Sequence, residues 1–183
     1  MRKLAVDEMK RVDIEQYKKL EKTPMIVILD NIRSMNNVGS FFRTADAFRI
    51  EQLHLCGITA CPPHREITKT ALGSTESVSW KYFESTIESV NWLKQNNYKV
   101  FAVEQVDTPI YLHEFEWNTE EKIALIMGNE VFGVSDDVLP LCDGAIEIPQ
   151  IGTKHSLNVS VSAGMVMWDL HSQWLINRKE AIV

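Results

Sequence analysis

Short apolar runs alternate with longer mixed segments along most of the chain, and this alternation restricts the possible fold more than any other feature. Several runs are apolar at every position, which is typical of strands covered on both faces. The runs predict strands at 25–30, 52–56, 78–83, 99–104, 123–127 and 145–148. The segments between them predict helices at 40–48, 66–72, 85–96, 135–141 and 157–176. The sequence therefore predicts an α/β fold with a mostly parallel sheet and helices on both faces.

The first residues follow a different pattern. Apolar and charged residues alternate over residues 1–22 in a way that permits one amphipathic helix, which Thr23-Pro24 would end. We therefore expect an N-terminal helical extension, 1–24, followed by one domain, 25–183. A chain of 183 residues, of which 45% are hydrophobic, is long enough for one well-filled core.

The lengths of the apolar runs and the spacing of the cysteines indicate where the protein is located and whether it binds a metal. Its apolar runs are far shorter than the roughly 20 residues that span a membrane, and no apolar signal segment follows the charged start. Three cysteines without paired spacing argue against a disulfide framework. We expect a cytoplasmic protein with no membrane partner. Cys61 and His64 could form half of a metal site, but no further ligands are evident, so we expect no metal.

Charge is unevenly distributed, although the net charge is −6. Residues 104–147 hold eleven acidic residues and one basic residue, Lys122, so the rest of the chain carries a net +4. Evenly spread negative charge would repel nucleic acid, whereas clustered cations can follow a phosphate backbone. The cations fit either an RNA-binding face or a solvated helix surface, and they are Arg2, Lys3, Lys10, Arg11, Lys18, Lys19, Lys22, Arg33, Arg43, Arg49, Arg65 and Lys69.

Three segments with glycine and polar residues each follow a predicted strand. They span residues 37–45, 128–133 and 148–162. Parallel strands end at one edge of a sheet, where open α/β folds bind their ligands, so we expect these segments to meet there. The third opens a helix with Ser156 and Asn158, residue types that usually cap helices and can offer hydrogen bonds to a ligand.

Several common ligand classes lack their sequence signature. A dinucleotide site requires Gly-x-Gly-x-x-Gly after the first strand, but this turn offers only Gly39. The phosphate-binding loop ending in Gly-Lys-Ser/Thr and the Gly-x-Ser-x-Gly elbow of hydrolases are also missing. His155 and Ser156 are adjacent in the chain and therefore seldom face each other, which disfavours a nucleophile and base pair.

The three segments, taken in order, resemble the motifs of the SpoU (TrmH-like) family of RNA ribose 2′-O-methyltransferases, within the SPOUT superfamily. The first motif is Asn37-x-Gly39-x-x-x-Arg43-x-Ala45. The second is Leu125-Ile-Met-Gly128-Asn-Glu130-x-x-Gly133. The third is Ile148-Pro149 followed by Ser156-Leu-Asn158-Val-Ser-Val, and residues 67–74 resemble a further family segment. The likeness covers about residues 25–176.

The resemblance implies a fold, a cofactor and an assembly. In this family the C-terminal part threads through a loop into a trefoil knot, the knot binds S-adenosylmethionine, and two subunits join through it as a homodimer. The residues that the resemblance assigns to the methyl donor are Gly128, Ile148 and Leu157, with Val103, Glu104 and Leu125 at the ends of preceding strands. Apolar residues there would sandwich adenine while backbone groups bind its edge.

The resemblance also implies catalytic residues. Arg43 is the family's catalytic residue and would hold a phosphate or the ribose 2′-oxygen, since a guanidinium donates only. Asn37 would orient Arg43 or the ribose, and Glu130 would fix the arginine by a charge-assisted bond. Ser156 and Asn158 would bind the nucleotide near the donor.

Each residue also has a structural interpretation. Arg43 could pair with Asp46, Asn37 could serve a turn, Glu130 could favour a helix start and Ser156 could be a cap. In the last helix, four large residues are expected to form one packed face in the core or a subunit interface: Met165, Met167, Trp168 and Trp174.

The expected substrate is RNA, with transfer RNA first because the chain has only a short helix before Met25 and no separate N-terminal RNA-binding domain. A D-loop ribose is the first expectation, followed by a wobble-position ribose or ribosomal RNA. Gln150, Thr153 and Val103 depart from residues common in the family, which affects fine contacts to the donor. Alternatives are an inactive RNA- or donor-binding protein and a base methyltransferase of the wider superfamily.

Overall fold

The computed structural model describes residues 1–178, and its centre is a seven-stranded sheet. The strands are β1 (Thr23–Asp30), β2 (Ile50–Cys56), β3 (Trp80–Phe83), β4 (Tyr98–Val103), β5 (Ile110–Tyr111), β6 (Lys122–Met127) and β7 (Gly144–Glu147). They lie in the order β3-β2-β1-β6-β4-β7-β5, and each neighbouring pair is parallel. The parallel sheet and its six predicted strands are confirmed, while the two-residue β5 was not predicted.

Six α-helices connect or flank these strands in the described chain. They are α1 (Ile14–Lys19), α2 (Met35–Ala47), α3 (Arg65–Ala71), α4 (Ser74–Ser77), α5 (Thr86–Gln95) and α6 (Val159–Arg178). Short 3-10 turns occupy Val6–Met9, Leu112–Glu114 and Leu139–Leu141. Within residues 1–178, no helix combines the length and apolar character needed to cross a membrane.

Alternate residues of β1 enter two hydrophobic clusters, one on each face of the sheet. Met25, Val27 and Leu29 pack in the cluster that contains residues of α2, α3 and α6. Ile26 and Ile28 pack in the cluster that contains residues of α5. Helices therefore cover both faces, as the uninterrupted apolar run of this strand predicted.

The predicted continuous N-terminal helix is wrong. A 3-10 turn ends at Lys10, whose φ of 47° is left-handed, and α1 begins only after Asp13, whose side chain caps it by accepting from the Gln16 N–H at 2.8 Å. Helices this short are marginal without packing, and Tyr17 is the buried residue of α1.

Helix α2 begins five residues before its predicted start at 40. Ser34 caps it, so the first glycine-bearing segment is a helix opening rather than a turn. Gly39 lies within this helix. A side chain there has no room, since a Cβ would approach Thr70 Oγ1 to 1.9 Å and the Ile67 carbonyl oxygen to 2.5 Å. The glycine therefore permits close contact between α2 and α3.

The predicted helix at 135–141 is also wrong, because only a 3-10 turn forms at Leu139–Leu141. Pro140 lacks the N–H that a helix would need, and its ring would clash with the carbonyl four residues earlier. The Ser135 N–H is instead used by the side chain of Asp30, at 2.8 Å.

Helix α6 does not present its large side chains as one packed face. Met167 and Trp174 are fully buried in the core, whereas Met165 and Trp168 are 44% and 50% exposed. The sequence prediction of a single packed face is therefore wrong, and α6 carries a separate exposed apolar side.

Candidate active site

A cavity of about 500 Å³ opens at the carboxyl edge of the sheet, beyond the ends of β4, β6 and β7. Its walls are two segments, which we call the β6 turn (residues 128–135) and the β7 segment (residues 148–158). Five of the six residues predicted to contact the methyl donor line it: Val103, Glu104, Gly128, Ile148 and Leu157. The predicted position of a small-molecule site at this edge thus coincides with a cavity.

Leu125 does not line this cavity, and its assignment to the donor site is corrected. It lies inside β6, opposite Val27 of β1 and Phe101 of β4, and is fully buried in the core. Neighbouring strands on both sides therefore separate it from any ligand. The second motif reaches the cavity only from Met127 onward.

The β6 turn is closed by its own hydrogen bonds. The backbones of Asn129 and Gly133 exchange two hydrogen bonds of 2.9 Å, and Asn129 Oδ1 accepts from the N–H groups of Val131 and Phe132. Gly128 has no room for a side chain, since a Cβ would lie 2.2 Å from the backbone of Gly133. The turn therefore has one compact geometry.

Asp30 and Asn31, at the end of β1, hold both ends of the β6 turn. Asn129 Nδ2 donates to the Asn31 carbonyl oxygen at 2.6 Å, and the N–H and hydroxyl of Ser135 donate to Asp30 Oδ2 at 2.8 Å. Asp30 is fully buried and also accepts from Thr86 Oγ1 at 2.5 Å. Sequence reasoning missed this pair, although an acid ending a buried apolar strand is a detectable signal.

Glu104 acts as a structural part of the cavity wall. Its Oε2 accepts from the Val134 N–H at 3.0 Å, and its Oε1 accepts from the Gln105 N–H at 2.8 Å. Gln105 Nε2 donates to the His155 carbonyl oxygen at 2.8 Å. The end of β4 therefore contacts both walls of the cavity.

Asn37 joins all three predicted segments. Its Nδ2 donates to Glu130 Oε1 at 2.9 Å, while its Oδ1 accepts from Asn158 Nδ2 at 3.3 Å and from Ser160 Oγ at 3.4 Å. The expectation that these segments meet at one edge of the sheet is confirmed.

The predicted pairing of Glu130 with Arg43 is wrong. The Glu130 carboxylate accepts from the N–H groups of Arg33 and Ser34, at 2.9 and 3.0 Å, as well as from Asn37. Partial burial acts to raise the pKa of Glu130, but these bonds together outweigh it and leave the pKa below its ordinary value. These donors at the start of α2 bind the Glu130 carboxylate because they lie opposite the β6 turn.

Arg43 lies six residues beyond Asn37 in α2, about 9 Å farther along the helix axis. Its side chain is exposed and does not line the cavity. Within residues 1–178 Arg43 forms no ion pair with Asp46, whose carboxylate accepts a hydrogen bond from the Ser77 hydroxyl. Arg43 is therefore an exposed cation of α2 that lies outside the cavity lining.

Ser156 and Asn158 lie in the exposed β7 segment, where residues 151–158 are all exposed. Ser156 lines the cavity. Asn158 caps α6, since its Oδ1 accepts from the N–H groups of Ser160 and Val161 at 2.9 and 3.3 Å. Asn158 is thus a structural cap that also contacts Asn37.

Acidic side chains surround the cavity: Glu104, Glu130, Asp136 and Glu147 all line it. The exposed cations Arg33 and Arg43 lie just before α2 and within it, outside the cavity lining. Within the described part of the chain, no three histidine, cysteine, aspartate or glutamate side chains are grouped in a way that could hold a metal ion.

The chain is similar in sequence to known RNA methyltransferases. The chain is 29% identical over 168 residues to the tRNA (guanosine(18)-2′-O)-methyltransferase of Thermus thermophilus, covering 92% of this chain and 84% of that protein. It is 28% identical to the 23S rRNA (guanosine-2′-O-)-methyltransferase of Neisseria meningitidis, covering 88% of this chain and 63% of that protein.

The fold also matches the crystal structure of the SpoU methyltransferase AviRb from Streptomyces viridochromogenes, solved with AdoMet. The TM-score is 0.76 at 22% identity, over 90% of this chain and 65% of that one. The chain thus spans less than two thirds of both this protein and the Neisseria relative. Residues 24–168 match the SpoU rRNA methylase family, and the chain belongs to that family.

Proposed function

We propose that the protein transfers a methyl group from S-adenosylmethionine to a ribose 2′-hydroxyl of RNA, and that this RNA is transfer RNA. The observation that carries the proposal is the position of Asn37, which joins the three motif segments beside a cavity of about 500 Å³. Family membership supports the reaction type, and the names of the Thermus and Neisseria relatives support a guanosine ribose as the acceptor.

The cavity fits S-adenosylmethionine in size and chemistry. Its volume lies within the range of about 300–1,000 Å³ that is usual for small-molecule sites. Val103, Ile148 and Leu157 offer apolar contacts for an adenine ring, and Gly128 leaves its backbone open to a ligand. The acidic lining suits a ligand that carries a positive sulfonium. When bound, this cofactor supplies an electrophilic methyl group.

The chain's own residues would bind and orient the ribose. Arg43, exposed on α2, would hold a phosphate or the 2′-oxygen and stabilise negative charge as it develops on that oxygen. Because a guanidinium only donates, the hydroxyl proton would pass to a phosphate oxygen or to water. Asn37 is held by Glu130, so its amide is fixed in orientation, and Ser156 would bind the nucleotide from the opposite wall.

We further propose that the β7 segment and α6 form the trefoil knot of the family. The β7 segment runs between β7 and α6 and contacts Gln105 after β4 and Asn37 in α2. The knot would explain how residues so distant in the chain line one small cavity. Residues 1–24 would be an extension to the domain that begins at about residue 25.

A homodimer would cover the exposed apolar side of α6. Val161, Met165 and Trp168 are 44–50% exposed and recur at helical spacing, and Ile176 is 75% exposed. A second copy of the chain would bury this stripe. We also propose a cytoplasmic location, which is supported by three free cysteines.

Replacement of Arg43 tests the proposal. The Arg43→Ala variant should lose methylation of unmodified tRNA transcripts while its calorimetric affinity for S-adenosylmethionine stays close to that of the wild type. Lys99→Ala is the matched control, since Lys99 is an exposed cation at the start of β4, at the opposite edge of the sheet. An Arg43→Ala variant that retains turnover would remove Arg43 from the mechanism.

The wild-type protein separates the remaining alternatives in the same assay. Donor binding without any methylated nucleoside would indicate an inactive binding protein. A methyl group on a base would indicate a base methyltransferase, and methylation of ribosomal RNA alone would replace transfer RNA as the substrate.

A further inference from the structure

Phe132, at the tip of the β6 turn, has an environment unlike that of any other phenylalanine in the chain. Its side chain is 84% exposed, and the neighbouring Val131 is 64% exposed. The chain has seven phenylalanines, and the other six are buried or half-buried. Among the described residues, no other phenylalanine, tyrosine or tryptophan is as exposed.

Folding does not account for a phenylalanine at this position. The turn is shaped by Asn129 Oδ1, which accepts from the N–H groups of Val131 and Phe132, and by the backbone pair of Asn129 with Gly133. None of these bonds uses the Phe132 ring. An exposed ring gains almost nothing from burial, so the Phe132 side chain adds little to the stability of the fold.

The ring is nevertheless held in a fixed place beside the candidate site. Phe132 lines the mouth of the cavity. Only one residue separates it from Glu130, whose carboxylate binds Asn37, so the Cα atoms of Phe132 and Glu130 are at most about 7.6 Å apart. A ligand held at Asn37 would therefore come within reach of the ring.

Charge around the ring selects the kind of contact that RNA could make there. The neighbouring carboxylates Glu104, Asp136 and Glu147 repel phosphate, so this side of the cavity cannot track an RNA backbone. Stacking of a base on an aromatic ring needs no positive charge and is available to every base. The exposed stripe of α6 offers a second subunit a separate apolar surface.

We propose that Phe132 is a stacking residue for a base of the substrate RNA beside the reacting ribose. This inference rests on the proposed function, and it assigns the two sides of the site different parts of the RNA. The cationic side at α2 binds phosphate, and the acidic side binds a base through the Phe132 ring.

Substitution of the ring tests this assignment with unmodified tRNA transcripts and S-adenosylmethionine as the probes. Phe132→Ala should lower kcat/KM for methylation by about 5- to 150-fold, the loss expected for one stacked base, and mainly through KM. Phe132→Trp should restore most of the rate, whereas the apolar but non-aromatic Phe132→Leu should not. Unfolding temperature and donor affinity should not change.

Tyr82→Ala is the control, because Tyr82 is a 45% exposed aromatic residue on the edge strand β3, far from β6 in the sheet order, and its loss should leave kcat/KM unchanged. Wild-type-like kinetics of Phe132→Ala would overturn the stacking role and leave the proposed function intact. Loss of donor affinity, or a change from dimer to monomer in sedimentation, would overturn it by assigning the ring to the cofactor or to a second subunit. Failure of the wild type itself to methylate RNA would overturn both proposals.

Discussion

The β6 turn and the β7 segment line the same cavity, but they are attached to the rest of the protein in different ways. The β6 turn is tied by hydrogen bonds to β1, to the end of β4 and to the start of α2. In the β7 segment, residues 151–158 are all exposed, and of these only His155 and Asn158 form described hydrogen bonds to Gln105 and Asn37.

This difference indicates that one wall of the cavity is fixed and the other can move. A wall fixed by many bonds can hold Glu130 and Asn37 in one geometry before any ligand arrives. A wall with few bonds opens at low free-energy cost, as ligand-binding loops commonly do. We therefore expect the β7 segment to move when the donor enters, while the β6 turn stays in place.

The largest effect is expected from the buried carboxylate that anchors the fixed wall. Asp30→Ala should lower the free energy of unfolding by about 3–5 kcal/mol, because the donors of Ser135, Thr86 and Asn31 lose their acceptor in a buried site. Urea unfolding measures this change. In the control Asp143→Ala, the Val100 N–H loses its exposed carboxylate acceptor and Lys94 loses an ion-pair partner 3.7 Å away, and the expected cost is only about 1 kcal/mol. Equal losses in the two variants would contradict a special role for Asp30.

A pair of glycine substitutions compares the two walls directly. Gly128→Ala should destabilise the protein by about 1–3 kcal/mol and weaken donor binding, since its Cβ would meet the Gly133 backbone at 2.2 Å. Gly152→Ala places a Cβ where nothing lies within 4 Å, so the change in unfolding free energy should stay within about 0.5 kcal/mol. Thermal unfolding of both variants measures these changes. An unchanged stability of Gly128→Ala would show that the β6 turn is not fixed.

A smaller effect is expected where the loose wall is attached. Gln105→Ala removes the hydrogen bond from Gln105 Nε2 to the His155 carbonyl oxygen and should weaken donor binding by about 2- to 10-fold, the equivalent of one ordinary hydrogen bond. Calorimetry with S-adenosylmethionine measures it. Gln95→Ala, an exposed change at the end of α5, should leave the affinity unaltered. If both variants bind alike, the Gln105 contact does not support the closed wall.

The smallest effect concerns the pH dependence of Glu130. Because its pKa is lowered from 4.5 in the folded protein, the ionised carboxylate stabilises the fold above that pH, and this contribution disappears as the pH falls through the folded pKa. The stability difference between wild type and Glu130→Gln should therefore be greatest near neutral pH and shrink as the pH falls below 4.5. It should remain under about 1 kcal/mol, since solvent screens a half-buried group.

Urea unfolding at several pH values tests this dependence, with Glu120→Gln as the control at an exposed acid whose carboxylate accepts no described hydrogen bond. A difference that grows on acidification would show that Glu130 is not stabilised in its ionised form.

The sequence predicted the sheet well because the apolar runs that form its strands are a local signal. It misplaced the start of α2 because Gly39 resembles a turn residue until its contact with α3 is known. The 135–141 helix was wrong because Ser135 bonds to Asp30, which lies 105 residues away in the chain. Such long-range polar contacts leave no periodic pattern in the sequence.

The candidate site was predicted in outline, and its polar contacts were not. The motif residues around Asn37 meet as expected, because parallel strands bring their carboxyl ends together. Leu125 was misassigned, because the sequence of the motif does not show that β6 continues past this residue to Met127. The partner of Glu130 could not be predicted, because it depends on which backbone N–H groups before α2 face the carboxylate in the folded chain.

The position of the transferred methyl group tests the central claim most directly. Unmodified tRNA transcripts would be incubated with the protein and S-adenosylmethionine that carries a deuterated methyl group, and the digested nucleosides would be mapped by mass spectrometry. The proposed function predicts that the label appears on the ribose of a nucleoside and is absent when Arg43→Ala replaces the wild type. Label on the bases alone, or no label from folded protein that binds the donor, would contradict it.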